Sequence, residues 1–316
     1  MSYDNARIVV RDHFGHDAAA TVERVGAGAW SECFAFQADD RDLVVRIGNH
    51  RDDFERDQLA AAWRSDTLPI PEVLEVGDIA NTHFAISTRA FGTPIDDGSA
   101  EEWRALLPHV LAMFDAMRTI EPPGTGFGGL DQQGNAPHTT WAEFLTSFPD
   151  TPDLRTHGWR QIVDESPTLR ATFDRGLGRL HDLAADLTPS RHVVHGDLLN
   201  RNVFTNQGRI SGIFDWGCAM YADPLWDAAW LSFWNPWHPG LAHIDIVSAM
   251  RVHSEHAGHS IDDFDRRVHA CMLRIGLDHI GYCAWTGQHA DDLERIAAQV
   301  DTLTLHPTRA IRETSG

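Results

Sequence analysis

The sequence predicts an α+β protein of two lobes, a small β-rich one followed by a larger, mainly helical one. Three observations carry that prediction. Across residues 1–91 the apolar residues fall in short β-branched runs broken by turns. After Gly92-Thr93-Pro94 the apolar spacing becomes helical and stays so for most of the chain. One exception interrupts it, the strand-like stretch 193–214, which also carries the most informative polar residues. A length of 316 residues suits about two structural units, and 42% hydrophobic residues suffice for a sizeable core.

In chain order, Phe34-Ala35-Phe36 and Leu43-Val44-Val45-Arg46-Ile47 flank the polar turn Asp39-Asp40-Arg41-Asp42 and read as a hairpin. Residues 53–64 place Phe54, Leu59, Ala62 and Trp63 near helical spacing. Leu68-Pro69-Ile70-Pro71 must be extended, because each proline pushes the residue before it out of the α region. Residues 73–76 and 83–88 complete a sheet of about five strands with one inserted helix. Residues 101–120 form the first helix of the second lobe. Ser166-Pro167, serine as N-cap and proline at the first helical position, opens another that runs to about Leu187. Asp223-Pro224 repeats the pairing before 225–234, and two or three helices follow between His243 and Ile311. Within the exception, 203–214 is two short strands around an Asn206-Gln207-Gly208 turn. The expected boundary lies at 91/92, with the small-molecule site in the cleft between lobes.

Composition narrows the chemistry. The chain has 26 basic residues against 46 acidic ones, a formal charge of −20, and every basic residue is arginine. Without lysine, a Schiff-base enzyme, a P-loop ATPase and a standard lysine-dependent kinase are all excluded. Phosphate would have to be handled by arginine, metal or backbone amides. The acidic excess argues against a nucleic-acid partner and suits a cationic one. No apolar run is long enough for a membrane span. The first residues show no signal-peptide pattern. Four scattered cysteines, without a CxxC pair, fit a reducing, cytoplasmic setting.

The chemistry concentrates at His195-Gly196-Asp197-Leu198-Leu199-Asn200-Arg201-Asn202 and, beyond the hairpin, Phe214-Asp215-Trp216. A hairpin returns its exit beside its entrance, so Asn202 and Asp215 should face one point. Two oxygen-bearing side chains suit a hard cation such as Mg²⁺, which takes its other ligands from water and phosphate. Asp197 then accepts a hydrogen bond from an incoming hydroxyl. Metal plus an orienting carboxylate is the apparatus of phosphoryl transfer. His195 reads as a structural hydrogen-bonder, and Asn200 as lining the site or capping a turn. His253, His256 and His259 read as a solvated face in preference to a metal site.

On these residues the chain resembles the aminoglycoside phosphotransferase family, whose members share the two-lobe protein-kinase-like fold. Leu68-Pro69-Ile70-Pro71-Glu72-Val73-Leu74, Thr139-Thr140-Trp141, Phe233-Trp234-Asn235-Pro236-Trp237 and 272–278 are similar, in order, to segments of its hygromycin-type members. The likeness runs from about Gly26 to His289. It implies that Asp197 is the catalytic aspartate and that Asn202 and Asp215 hold Mg²⁺. It places Arg46 where kinases have the phosphate-gripping lysine, with Glu55 or Asp57 as its helical partner. It further implies that the turn around Gly28 and Ser31 covers the triphosphate of ATP or GTP. The connector, with Thr88 and Ala90, would meet the base. On the acceptor side it implies Asn200, Trp234, Trp237 and Asp278, with Trp226 and Trp230 in the core. Asp278 reads equally as a partner of Arg274, Asp223 as a helix cap, and Asp227 as a local hydrogen-bonder. The expected activity is transfer of the γ-phosphate to a hydroxyl of a cationic aminocyclitol antibiotic by a monomer. The competing acceptors are a nucleoside-type antibiotic or a metabolite such as choline; a non-catalytic pseudokinase is the remaining alternative.

Overall fold

The computed structural model describes residues 2–122, 124–131, 133–259, 261–287 and 290–305. The end of the last expected helix and His289 lie outside these residues. The chain opens with α1 (Ser2–Ala20), broken at Gly15, and then β1 (Glu23–Ala27), β2 (Ser31–Ala38) and β3 (Arg41–Gly48). α2 (Arg51–Ala61), β4 (Val73–Ile79) and β5 (Thr82–Thr88) complete the first lobe. Its sheet is antiparallel, ordered β1-β2-β3-β5-β4. One face of the sheet, with Phe34, Phe36, Leu43, Val45, Ile47, Phe84 and Ile86, is covered by Ala6, Val9, Val10, Ala18 and Ala19 of α1. The sequence reading had assigned no element to α1. Its buried residues are Asn5 and a few alanines and valines, interrupted by Gly15, and so weak a stripe among charged residues gives little periodic signal.

The second lobe runs through β6 (Thr93–Pro94), α3 (Ala100–Arg118), β7 (Gly128–Gly129), α4 (Trp141–Thr146), α5 (Trp159–Glu165) and α6 (Pro167–Ala184). It continues through β8 (His192–Val194), β9 (Val203–Asn206), β10 (Arg209–Ile213) and β11 (Met220–Ala222). It ends with α7 (Trp226–Trp234), α8 (Ile246–His256), α9 (Phe264–Thr286) and α10 (Ala290–Leu305). Ser99 and Glu102 form a reciprocal capping box at the start of α3, and Ser166 caps α6 with Pro167 following. β9 and β10 pair around Gln207 and Gly208, both at positive φ (49° and 73°), as a two-residue hairpin turn demands.

Two small sheets, β10-β9-β6 and β7-β11-β8, anchor this hairpin and the strand that precedes the loop at 195–202. Ala60, Leu68 and Ile70 of the first lobe join the large core of the second, so α2 and the extended linker pack into both lobes. α9 lies at the centre of that core, its buried residues including Val268, Cys271, Leu273, Leu277 and Ile280. Asp223 differs from expectation. It accepts one bond from Leu225 N–H, as a cap would, but its buried carboxylate is chiefly the two-point partner of Arg267 at 2.7 and 2.8 Å. The partner lies 44 residues away on α9, beyond the reach of a local pattern.

Candidate active site

The loop at 195–202 leaves β8 and is held at its root by a buried carboxylate. Asp227, near the start of α7, accepts hydrogen bonds from the His195 and Gly196 N–H groups, both at 2.9 Å. It is not the local hydrogen-bonder that the sequence suggests, since its partners are 32 and 31 residues away. His195 locks the loop to the hairpin exit. Its Nδ1 accepts from Asp197 N–H, and its Nε2–H donates to the Phe214 carbonyl at 2.7 Å. Burial lowers the His195 pKa to about 4, so the ring is neutral and serves as a strut. Gly196 sits at φ +82°, and a Cβ there would lie 2.6 Å from the Cys218 carbonyl oxygen, so glycine is required.

The loop brings Asp197, Asn200, Asn202 and Asp215 together. Asn200 Nδ2 donates to Asp197 Oδ1 at 2.8 Å, and Asn202 Nδ2 donates to Oδ2 at 3.1 Å and to the Asp197 carbonyl at 2.9 Å. Burial pushes the Asp197 carboxyl up, to about 8; Asp215 and Asp96 push the same way, and the two asparagines oppose them. Phe214 N–H donates to the Asn202 carbonyl at 2.8 Å, which closes the hairpin base and sets Asp215 beside Asn202.

The donor set fits a hard divalent cation. Asn202 has turned its amide nitrogen to Asp197, leaving its oxygen available. The half-buried Asp215 carboxylate makes no hydrogen bond or ion pair among the described residues. No group of three His, Cys, Asp or Glu side chains able to hold a metal occurs among them. An oxygen-only pair of protein ligands is what Mg²⁺ accepts when phosphate and water supply the rest.

Arg46, on β3 opposite Cys33 and Ala85, points its guanidinium into the same cleft and pairs with Asp57 of α2. Burial disfavours that charge, but Asp57 and Asp215 outweigh it and hold Arg46 protonated. Burial also pushes Asp57 up, to about 6, against the pull of Arg46 and of Trp216 N–H, which donates to its other oxygen at 2.8 Å. Glu55 is therefore not the partner of Arg46; it pairs with Arg51 one turn back, at 2.8 Å. The difference is helical phase: Asp57 is on the buried side of α2 and Glu55 is not. Asp57→Ala should lower stability by about 3–5 kcal/mol, as removing one partner of a buried pair does. It should also raise the KM for MgATP. Thermal melts and initial rates check this, with Glu55→Ala expected to change neither appreciably.

Gly28, Ala29, Trp30 and Ser31 line a narrow cleft with Arg46, His50, Asp53, Phe54 and Asp215. The turn closes through Gly28 N–H to the Ser31 carbonyl at 2.9 Å. Trp30 reaches the second lobe: it stacks on Trp285 (centroids 6.1 Å apart) and carries Arg155 over its ring at 5.5 Å. Arg155 in turn binds Asp52 and Asp53 of α2, both at 2.8 Å. On the connector, Thr88 N–H goes to the Glu72 carbonyl, Thr88 Oγ1 accepts from Glu72 N–H, and Arg89 N–H goes to Asp42. These bonds commit the Thr88 side chain to the sheet. Ala90 lies against Gly212, where a Cβ would come within 2.8 Å of its methyl.

Trp226 and Trp230 are buried, and Trp234 and Trp237 are half-buried beside one another at 5.1 Å. A file of rings continues from Trp234 to His279 (4.7 Å), Tyr282 and Trp285. Trp237 also donates to Asp292 at 2.9 Å. Asp278, expected at the acceptor, is tied to Arg274 one turn earlier on α9. Of the three histidines, His253 pairs with Asp115 at 2.6 Å, while His256 and His259 are exposed. Sequence reasoning did not single out Tyr282 and Trp285. Their spacing from Asp278, i+4 and i+7, was the signal, because it puts all three on one helical face.

Residues 21–259 match the phosphotransferase enzyme family, APH. Over 269 residues the chain is 33% identical to hygromycin-B 4-O-kinase of Escherichia coli, covering 84% of this chain and 75% of that one. It is 24% identical over 185 residues to a probable ketoamine kinase of Vibrio parahaemolyticus, covering 57% and 62%. The fold superposes on the crystal structure of aminoglycoside phosphotransferase APH(4)-Ia with a TM-score of 0.82 at 27% identity, over 97% and 98% of the two chains. A ternary complex of a thermostable mutant of that enzyme with AMP-PNP and hygromycin B gives 0.81 at 28%, with the same coverage. The two-lobe protein-kinase-like fold and the ATP-dependent phosphotransferase character follow, and the chain belongs to the aminoglycoside phosphotransferase (APH) family of phosphotransferase enzymes.

Proposed function

We propose that this kinase transfers the γ-phosphate of ATP to a hydroxyl of hygromycin B or a close aminocyclitol relative. We further propose that it acts as a cytoplasmic monomer, with residues 1–91 as the nucleotide lobe and 92–316 as the acceptor lobe. The observation that carries this is Asp197, whose two oxygens each hold an asparagine amide directly beside the Asn202–Asp215 pair. In that reading Asp197 receives the acceptor hydroxyl and orients its oxygen for in-line attack. Asn202 and Asp215 would hold Mg²⁺, which when bound neutralises the phosphates. Arg46 and the turn at 28–31 steady the transferring end of the nucleotide. The half-buried rings of Trp234 and Trp237 offer flat apolar walls to the acceptor, and Asn200 lies at the mouth. Asp278 pairs with Arg274 yet keeps an exposed face, so it stays a candidate contact for the acceptor's ammonium groups. The −20 charge favours encounter with a polycationic drug.

Incubation with MgATP and hygromycin B should add one phosphoryl group to the drug, read by mass spectrometry. Asp215→Ala should abolish the addition. Unmodified drug alongside slow Mg²⁺-dependent ATP hydrolysis would shift the acceptor to another cationic hydroxyl compound.

A further inference from the structure

The catalytic loop contains two consecutive non-glycine residues in the left-handed region, Asn200 at φ 62° and Arg201 at φ 67°. Asparagine tolerates that conformation; arginine has no local reason to adopt it. Both backbone N–H groups end on one carboxylate from a distant segment. Asp96 accepts from Asn200 N–H at 2.8 Å and from Arg201 N–H at 3.0 Å, one on each oxygen. Asp96 lies in the helical turn Ile95–Asp97, directly after β6. β6 is itself laddered to β9 through Thr93–Thr205 and Pro94–Phe204. The connector side of the cleft is thus tied to the hairpin by backbone pairing and by Asp96, with Ser211 Oγ donating to the Phe91 carbonyl and Arg201 pairing with Asp97 as further links.

This conformation has a chemical consequence. With Asn200 left-handed, its side chain folds back and donates to Asp197 Oδ1, while Asn202 occupies Oδ2. An amide on each oxygen fixes the rotation of the Asp197 carboxylate and leaves its remaining lone pairs for the acceptor hydroxyl. If Asn200 relaxed to an ordinary backbone conformation, its amide would leave Asp197 and one oxygen would be free to turn.

We infer that Asp96 is a positioning residue for phosphoryl transfer, acting through the left-handed Asn200-Arg201 pair to orient the Asp197 carboxylate. The inference rests on transfer at Asp197 and not on the identity of the acceptor. Asp96 touches neither nucleotide site nor metal pair, so its loss should fall on kcat.

The test is a set of variants assayed for MgATP turnover with hygromycin B and, in parallel, for slow MgATP hydrolysis without acceptor, with thermal melts on each. Asp96→Ala should lower kcat about 10- to 100-fold, the scale of a misplaced catalytic group, with the KM for MgATP little changed. Asn200→Ala should reproduce that fall, and the double variant should fall no further than either single one. Adding Arg201→Gly to Asp96→Ala should restore much of kcat, because glycine takes positive φ without an external carboxylate. Losses that multiply in the double variant, or a rise in KM at constant kcat, would overturn the inference. So would an Asn200→Ala enzyme with unaltered kcat. Asn200 and Arg201 are exposed, so the Asn200→Ala and Arg201→Gly arms do not depend on Asp96→Ala folding well. A wild-type enzyme inert toward hygromycin B would sink only the acceptor assignment. Equal hydrolysis by wild type and Asp96→Ala would sink this one.

Discussion

Asp197→Ala is expected to lower kcat by about 10²- to 10⁴-fold, the range a positioned acid–base group contributes. The fold and nucleotide affinity should survive. The reasoning starts from what the carboxylate costs in place. Burial, with Asp215 and Asp96 nearby, raises its pKa to about 8, so the folded protein holds this group in an environment that disfavours its charge. Removing it relieves that desolvation while giving up bonds from Asn200 and Asn202. Asn200 is exposed, so water replaces its lost partner, and Tm should change little. Arg46 and the turn at 28–31 do not pass through Asp197, and Asn202 keeps its bond to the backbone carbonyl of residue 197, so nucleotide binding should remain. Single-turnover transfer, nucleotide titration and a thermal melt check the three parts. A variant within tenfold of wild-type turnover would show that Asp197 does not orient the nucleophile.

Much of this site was legible in the sequence because it is local. Asp197, Asn202 and Asp215 are joined by one hairpin, and hairpin geometry returns its two ends to one place. Arg46 was placed by the family resemblance, as the arginine standing where kinases have their phosphate-gripping lysine. The choice between Glu55 and Asp57 could not be made that way, since two residues on a helix differ by about 200° of phase, and only packing shows which faces the cleft. The groups that hold the loop were illegible for a different reason. Asp227 and Asp96 meet their backbone partners across 32 and 104 residues. A backbone N–H leaves no mark in sequence, so a carboxylate that caps a remote loop looks like any aspartate near a helix start. Asp223, read as a cap, likewise proved to be the buried partner of Arg267. The α1 helix was missed because a stripe of mostly alanine and valine broken by glycine carries little contrast.

Asp227→Ala is expected to be among the most damaging substitutions outside the reacting groups. Asp227 is 1% exposed, and its two oxygens satisfy the His195 and Gly196 N–H groups at the root of the catalytic loop. Alanine would leave both donors buried and unpaired, at about 1–3 kcal/mol each. Set against a total stability of about 5–15 kcal/mol, that is a large share. Asp227→Asn is the more informative variant. It keeps the shape but offers one acceptor oxygen, and its NH₂ would confront the second N–H. Tm should fall by less than for alanine, while kcat drops because the loop entering Asp197 loses one of the two bonds that Asp227 gives it. The pH dependence carries its own sign. Burial raises the Asp227 pKa to about 6 from 3.8, with the two N–H donors opposing. The folded state therefore binds this proton more tightly than the unfolded chain. Stability contributed by the group is full below about pH 4 and is lost as pH rises through about 6. Asparagine does not titrate, so the Tm advantage of wild type over Asp227→Asn should shrink between pH 4.5 and 7. A gap that widened over that range would mean that the two backbone donors outweigh desolvation, and that the buried aspartate gains from ionising where it sits.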